Sequence, residues 1–189
     1  MASGKSTASN FLADHGASII DADKLGHRVY DPGTQGFNEV VTAFGEDLIG
    51  ADGQIDRKVL GSKVFGKPEE LNRLTSIVWP QIRHLAELEI AAIGRKNREA
   101  IVVLEAAVLF EAGWQDLGDE IWVVVVDRET AIERAIARDG FDRKAVESRL
   151  DAQLSNDERV AGATRVIDNS AGPDDMQNSL QAIWADLTA

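Results

Sequence analysis

The stretch Ser3-Gly4-Lys5-Ser6-Thr7, followed at once by an amphipathic run, decides the fold of this 189-residue chain. It is the second half of the pattern G-x-x-x-x-G-K-[ST], in which a glycine-rich loop opens a helix. Glycine lets backbone N–H groups approach a phosphate, and a helix N-terminus adds unpaired donors and a positive dipole end. Lys5 would contact the β- and γ-phosphates of a nucleotide, Ser6 would offer its hydroxyl to Mg²⁺, and Thr7 would reach the α-phosphate. The alternative is an ordinary helix start capped by Ser3.

Outward from this loop, short apolar strands alternate with longer helical periods, which is the pattern of βαβ units and a parallel sheet. The predicted strands are 18–21, 101–104, 121–126 and 165–167. The first predicted helix runs from Lys5 to about His15. Several helices follow between Asp56 and Ile93, and three more cover 129–138, 142–150 and 174–187. We therefore expect an α/β fold with helices on both faces of a parallel sheet, and this context favours the phosphate loop over the capped helix.

Two carboxylates lie at the C-terminal end of the predicted strand 18–21, at the edge where α/β sheets bind ligands. Asp21 and Asp23 are separated by one alanine and would point the same way if the strand continued. One could accept a proton from an attacking hydroxyl, while the other holds Mg²⁺-bound water or a substrate group. The alternative is structural: Asp21 ends the strand and Asp23 caps the next helix.

A second acidic strand end is Glu105, which closes the apolar run 101–104. Its position is typical of the acid that holds Mg²⁺ through water in nucleotide-binding folds. Glu111, after Val108-Leu109-Phe110, is a similar candidate with less support. The alternative is a buried strand that ends in a solvated glutamate.

Basic residues cluster between positions 134 and 149 of this acidic chain. Arg134 and Arg138 are four residues apart on one predicted helix, so they share a face. Two guanidinium groups suit a lid that closes over a transferring phosphate. The alternative is a solvated face paired with neighbouring acids such as Asp139 and Asp142.

Composition limits the function classes. The chain has 20 Lys and Arg against 32 Asp and Glu, a formal net charge of −12, and no Cys. Disulfides and thiolate metal sites are therefore excluded, and nucleic acid or an anionic membrane is an unfavourable partner for such a charge. The longest apolar runs are far shorter than the roughly 20 residues of a bilayer span, and no secretory signal precedes them, so we expect a cytoplasmic protein. The three histidines lack metal-ligand spacing.

An ordered series of motifs across most of the chain resembles the dephospho-CoA kinase family, most closely in the form fused into bifunctional CoA synthases. The motifs are, in chain order, Ser3-Gly4-Lys5-Ser6-Thr7, Ile20-Asp21-Ala22-Asp23, Gly45 with Asp52-Gly53, Ile55-Asp56-Arg57 with Leu60, Val64-Phe65, Leu71-Asn72, Trp79-Pro80, Val108-Leu109-Phe110-Glu111, Glu133-Arg134 with Arg138-Asp139, Arg149 with Gln153, and Val166-Ile167-Asp168-Asn169.

The resemblance implies transfer of the ATP γ-phosphoryl to the ribose 3′-hydroxyl of dephospho-CoA, with Mg²⁺, in a P-loop kinase fold. It implies a single kinase domain over 1–189, with a five-stranded core in 1–27 and 96–189, a helical CoA-binding insertion at about 28–95 and a lid at about 138–155. The implied catalytic residues are Asp23, Lys5 and Arg138. The implied binding residues are Ala2, Ser3, Gly4, Lys5, Ser6, Thr7, Arg134, Arg138 and Asn169 for the nucleotide, Asp21, Asp23, Arg57 and Glu111 for the acceptor, and Ser6 and Glu105 for the metal.

The sequence departs from the family pattern at its start. Ala2 stands where the loop would carry glycine, and the family's first strand, in the middle of the sheet, would precede Met1. We therefore expect the natural protein to begin upstream. Two alternatives remain open from the residues: another P-loop kinase of a small metabolite, such as a shikimate- or gluconate-type kinase, and a binding domain whose incomplete phosphate loop impairs catalysis.

Overall fold

Helices and short strands alternate along the chain in a computed structural model that describes residues 2–188. The strands are β1 (Ser18–Asp21), β2 (Val102–Glu105), β3 (Trp122–Val125) and β4 (Arg165–Asp168). The helices are α1 (Lys5–Asp14), α2 (Ala22–Val29), α3 (Gln35–Phe44), α4 (Arg57–Val64), α5 (Pro68–Lys96), α6 (Arg128–Asp139), α7 (Arg143–Asp151), α8 (Asn156–Ala161) and α9 (Pro173–Leu187). The α/β prediction is confirmed, and the individually predicted elements lie within one residue of their predicted ends. The predicted ranges include neither α3 nor α8, and α2 enters the prediction only through the capping alternative.

The strands form two hydrogen-bonded pairs within the described residues. Strands β3 and β4 are parallel, with Trp122 opposite Arg165 and Val125 opposite Asp168. The other pair is β1 with β2, beside which the Ser18 N–H donates to the Ile101 carbonyl at 2.8 Å. No ladder joins the two pairs within residues 2–188. The five-stranded core that the resemblance implies, with its first strand upstream of Met1, stays a prediction.

The chain divides into two compact units. The first unit comprises the chain up to Ile19 and from Ile101 onward, and the second unit is Ile20–Ala100. In the first unit, the core contains Ala8 of α1, Val124 of β3, Ile167 of β4, and Met176 and Leu180 of α9. The predicted last helix, α9, thus packs on the β3–β4 pair through Met176 and Leu180. Burying side chains of this size contributes about 1.5–3 kcal/mol each.

A smaller cluster in the same unit joins α6 to α7. Ile132 and Ala135 of α6 pack against Val146 of α7, and Ala2 packs against this group. Each helix has an aspartate N-cap: Asp127 accepts from the Thr130 N–H and Asp142 from the Ala145 N–H. The start of the phosphate loop and the predicted lid therefore share one apolar contact.

The second unit is helical, with α5 as its longest member. Helix α5 spans 29 residues and stays continuous through Pro80. Helix α2 packs against it, and a Cβ built on Gly26 would lie 3.3 Å from Ile82 Cδ1, so the absence of a side chain allows this close approach. Arg28 of α2 forms an ion pair with Glu89 of α5. Among residues 2–188, no helix is long and apolar enough to cross a membrane.

Candidate active site

The loop before α1 has the backbone that a phosphate site requires. Gly4 occupies the N-cap position with φ +99°, in the left-handed region that favours glycine. No side chain caps the helix from this position, so the Ser3-capped alternative is wrong. The first N–H groups of α1 thus keep donors for an anion at the positive end of the helix. Ala2 also has a positive φ, +53°, where the family pattern carries glycine.

Lys5, Ser6 and Glu105 meet at the start of α1. The Lys5 Nζ lies 2.6 Å from Glu105 Oε1, and the Ser6 hydroxyl donates to the same oxygen at 2.8 Å. The Glu105 side chain is 11% exposed, against 37% for Lys5, so the carboxylate is the inner member of the pair. The structure therefore brings the predicted metal residues together with the lysine predicted to bind phosphate, and Glu105 is not the solvated strand end of the alternative.

Competing effects set the charge of Glu105. Burial raises the pKa of its carboxyl, but hydrogen bonds from Lys5, Ser9 and Ser6 and the Lys5 charge bring the pKa below its ordinary value of 4.5. The carboxylate is thus ionised at neutral pH. Sequence reasoning missed Ser9, which is buried and whose hydroxyl also donates to the Lys5 carbonyl at 3.3 Å. Its position four residues after Lys5, on the same helix face, was the available signal.

Asn169 links β4 to the loop. The side-chain Nδ2 of Asn169 donates to the Ser3 backbone carbonyl at 2.8 Å. The backbone carbonyl of Asn169 accepts from the Arg134 guanidinium at 3.1 Å. The predicted nucleotide residues Ser3, Arg134 and Asn169 are therefore brought together. Arg138 instead forms a two-armed ion pair with its neighbour Asp139, at 2.7 and 2.8 Å, which is the pairing that the solvated-face alternative describes.

The second unit contains the predicted acids at the end of β1. Asp21 caps α2, accepting from the N–H groups of Asp23 and Lys24 at 3.0 and 3.2 Å. The structural alternative named Asp23 as the cap, and this is wrong, because the carboxylate that precedes the helix reaches its first N–H groups. Asp23 lies in the first turn with an exposed side chain.

The remaining acceptor candidates are exposed. Arg57 begins α4, and its guanidinium lies 5.7 Å from the centre of the Tyr30 ring. Burial raises the pKa of the Tyr30 hydroxyl, and the Arg57 charge partly opposes this. Glu111 lies in a turn of the first unit, where its carboxylate is 3.5 Å from the Leu154 N–H.

Comparisons with known proteins point to one family over nearly the whole chain. A family model described as dephospho-CoA kinase matches residues 1–175. The dephospho-CoA kinase of Geobacter sulfurreducens is 45% identical over 185 residues, which cover 98% of this chain and 93% of that relative. The enzyme of the same name from Symbiobacterium thermophilum is 41% identical and covers 97% of this chain and 77% of its own length.

Two solved structures share the fold. The Thermus thermophilus protein TT1252 superposes with a TM-score of 0.82 at 29% identity, covering 100% of this chain and 94% of that one. The dephospho-CoA kinase from Campylobacter jejuni gives a TM-score of 0.72 at 28% identity, covering 99% of this chain and 92% of its own. With the family model matching 175 of 189 residues, this chain belongs to the dephospho-CoA kinase family.

Proposed function

We propose that this chain transfers the γ-phosphoryl group of ATP to the ribose 3′-hydroxyl of dephospho-CoA and releases CoA and ADP. The observation that carries the proposal is the joining of Lys5, Ser6 and Glu105 at an uncapped helix start. Family membership supports the choice of acceptor, since a model described as dephospho-CoA kinase matches residues 1–175.

The loop from Ala2 to Thr7 is our proposed triphosphate site. Backbone N–H groups at the start of α1 and the Lys5 ammonium would bind the phosphates. Arg134 and Arg138 would neutralise charge that develops on the γ-phosphoryl group as it is transferred. For Arg138 this requires exchange of Asp139 for phosphate, which is feasible because the pair is exposed.

The residues present fit Mg²⁺. Ser6 and Glu105 supply a hydroxyl and an ionised carboxylate that converge on one point, and magnesium prefers a few such oxygens together with substrate phosphates. Residues 2–188 contain no cluster of three or more acids or histidines that would hold a metal alone. Bound Mg²⁺ would neutralise phosphate charge. When ATP binds, the Lys5 ammonium would leave Glu105 and pair with the phosphates.

For the acceptor, we propose Asp23 as the base. Its carboxylate would take the proton of the 3′-hydroxyl as that oxygen bonds to the γ-phosphorus and the bond to the β–γ bridging oxygen breaks. Asp21, Arg57 and Glu111 are proposed acceptor-binding residues. The segment at about 28–95 is the proposed CoA-binding insertion, and the segment at about 138–155 is the proposed lid.

The test is direct phosphorylation. The protein is incubated with Mg-ATP and, separately, with dephospho-CoA, shikimate and gluconate, and products are identified by mass and by the position of the new phosphate. We expect phosphate on the 3′-oxygen of dephospho-CoA alone. Product from shikimate or gluconate instead would favour a different metabolite kinase, and ATP binding without any product would favour an impaired binding domain.

The Lys5→Ala variant belongs in the same experiment, with Lys96→Ala as its control. Lys5 contacts phosphate in both the ground and transition states, so its loss should weaken ATP binding and slow turnover together. Lys96, exposed at the end of α5, carries the same charge outside the proposed site. If Lys5→Ala binds ATP as the unaltered protein does, the loop is not the phosphate site.

A further inference from the structure

The carboxamide of Asn169, which is predicted to bind the nucleotide, contacts the backbone of the loop instead. Asn169 follows β4 and is 6% exposed. Its Nδ2 donates to the backbone carbonyl of Ser3 at 2.8 Å, across 166 residues of sequence. A buried amide that donates to the loop backbone fixes the loop's position, since leaving that carbonyl unsatisfied is unfavourable.

The same residue is anchored from two sides through its backbone. Its N–H donates to the Val125 carbonyl at the end of β3, which ties it to the parallel pair. Its carbonyl accepts from the Arg134 guanidinium of α6 at 3.1 Å. The residue therefore lies between the phosphate loop on one side and the arginine-bearing helix on the other.

Gly4 leaves room for this contact. A Cβ built on Gly4 would lie 2.4 Å from Asn169 Nδ2 and 3.3 Å from Met176 Sδ. The 2.4 Å separation is shorter than real side chains allow, so the amide occupies the space that Gly4 leaves. The glycine thus serves the Asn169 contact as well as the loop's own conformation.

We propose that Asn169 is a positioning residue that sets the phosphate loop against β4 and α6 through the Ser3 carbonyl. Its side chain acts on the triphosphate through the loop and does not read the adenine base. The proposal deepens the proposed function, because it assumes that the loop binds a triphosphate, but it does not depend on the acceptor.

Inorganic tripolyphosphate separates positioning from base recognition, because it carries the phosphates without a base. Binding of Mg-tripolyphosphate and of Mg-ATP is measured by calorimetry for the unaltered protein, Asn169→Asp and Asn169→Ala. Both variants lose the amide donor, and Asn169→Ala also avoids placing a carboxylate against a carbonyl. We expect both ligands to bind roughly tenfold more weakly or worse, by the same factor. In turnover, KM for ATP should rise while KM for dephospho-CoA stays unchanged.

Asn156→Asp is the matched control. The Asn156 Nδ2 donates to the Val126 carbonyl at 2.9 Å in the same unit, so the substitution removes the same kind of hydrogen bond away from the loop. It should lower the melting temperature without changing tripolyphosphate binding. Weaker ATP binding with unchanged tripolyphosphate binding in the Asn169 variants would assign the side chain to the base and overturn the proposal. Unchanged binding of both ligands, or an equal loss in Asn156→Asp, would overturn it as well. Failure of the proposed function would differ, since tripolyphosphate could bind while dephospho-CoA is not phosphorylated.

Discussion

Asp21 and Asp23 show how two similar residues take different roles. Asp21 lies just before α2 and accepts two backbone hydrogen bonds, whereas Asp23 lies one residue inside the helix with its side chain exposed. Both capping bonds of Asp21 go to the same oxygen, Oδ1, which is therefore occupied by backbone N–H groups. The exposed carboxylate remains available for proton transfer, which is why we assign the base to Asp23.

Replacing Asp23 by Asn should lower turnover by about 10²–10⁴-fold and leave ATP affinity and the melting temperature nearly unchanged. The reason is that the amide keeps the shape of the side chain but cannot accept the hydroxyl proton. Asp21→Ala is the informative partner, because loss of the cap should cost about 0.5–2 kcal/mol of stability. Steady-state kinetics and thermal melting separate the two. Normal turnover in Asp23→Asn would leave that residue without a catalytic role.

Glu105 gives a prediction about acid stability. The pKa of Glu105 in the folded chain is lower than its ordinary value of 4.5. The ionised pair with Lys5 therefore stabilises the fold fully above about pH 4.5. This stabilisation is lost as the pH falls through the lower pKa of the folded state. Glu105→Gln should therefore be less stable than the unaltered protein near pH 7, and the difference should shrink below about pH 4.5. Denaturant unfolding between pH 3.5 and 7 measures it. Glu99→Gln, at an exposed site, should show no such pH-dependent difference in stability. If Glu105→Gln stays less stable than the unaltered protein at low pH, the ion pair is not the source of the difference.

Among the elements, those with a complete periodic signal were predictable. The strand β3 is an unbroken apolar run, and its buried Val123 and Val124 match the covered strand that the run indicates. Helix α9 was equally clear from its apolar stripe. Helix α3 was missed because glycines and turn dipeptides surround it. Helix α8 is only six residues long, although Ser155 and Glu158 form a capping box whose S-x-x-E spacing was readable.

Individual site residues were predictable from local features or from the family resemblance, but their contacts with one another were not. The loop residues came from a local motif, and Glu105 from its place at a strand end. The hydrogen bond from Asn169 to Ser3 joins residues 166 positions apart, and such pairing depends on the packing of β4 and α9 against the loop. The choice between Asp21 and Asp23 as the cap depended on where α2 begins, which is Ala22, and element ends are the least predictable feature of a pattern.

The N-cap of α7 offers a test at the scale of one element. Asp142 is one of the acids that could pair with arginine on a solvated face, but its side chain accepts from the Ala145 N–H at 2.9 Å. Asp142→Ala should destabilise α7 by about 0.5–2 kcal/mol, whereas Asp142→Asn, an equally good cap, should be close to neutral. Hydrogen exchange of the α7 amides reports the effect directly. Equal exchange in all three proteins would show that the cap does not stabilise the helix.

The whole molecule combines a net charge of −12 with two anionic substrates. Binding must therefore come from local groups, because the overall field repels phosphate. The proposed nucleotide residues belong to the unit that ends at Ile19 and resumes at Ile101, while Asp21, Asp23 and Arg57 belong to Ile20–Ala100. We therefore expect ATP and dephospho-CoA to protect different segments of the chain from hydrogen exchange.

Hydrogen exchange with each ligand alone tests this division. A ligand at 100 times its Kd stabilises the state that binds it by about 2.7 kcal/mol, and amides at the contact gain the most protection. Mg-ATP should protect the amides of α1 and the segment after β4, near Asn169, more than those of α2 to α5. Dephospho-CoA should protect amides within Ile20–Ala100. The Lys5→Ala variant should lose the first effect and keep the second, because the lysine contacts phosphate only in the first unit. Protection of α2 to α5 by Mg-ATP alone, with none at α1, would reverse our assignment of the two units.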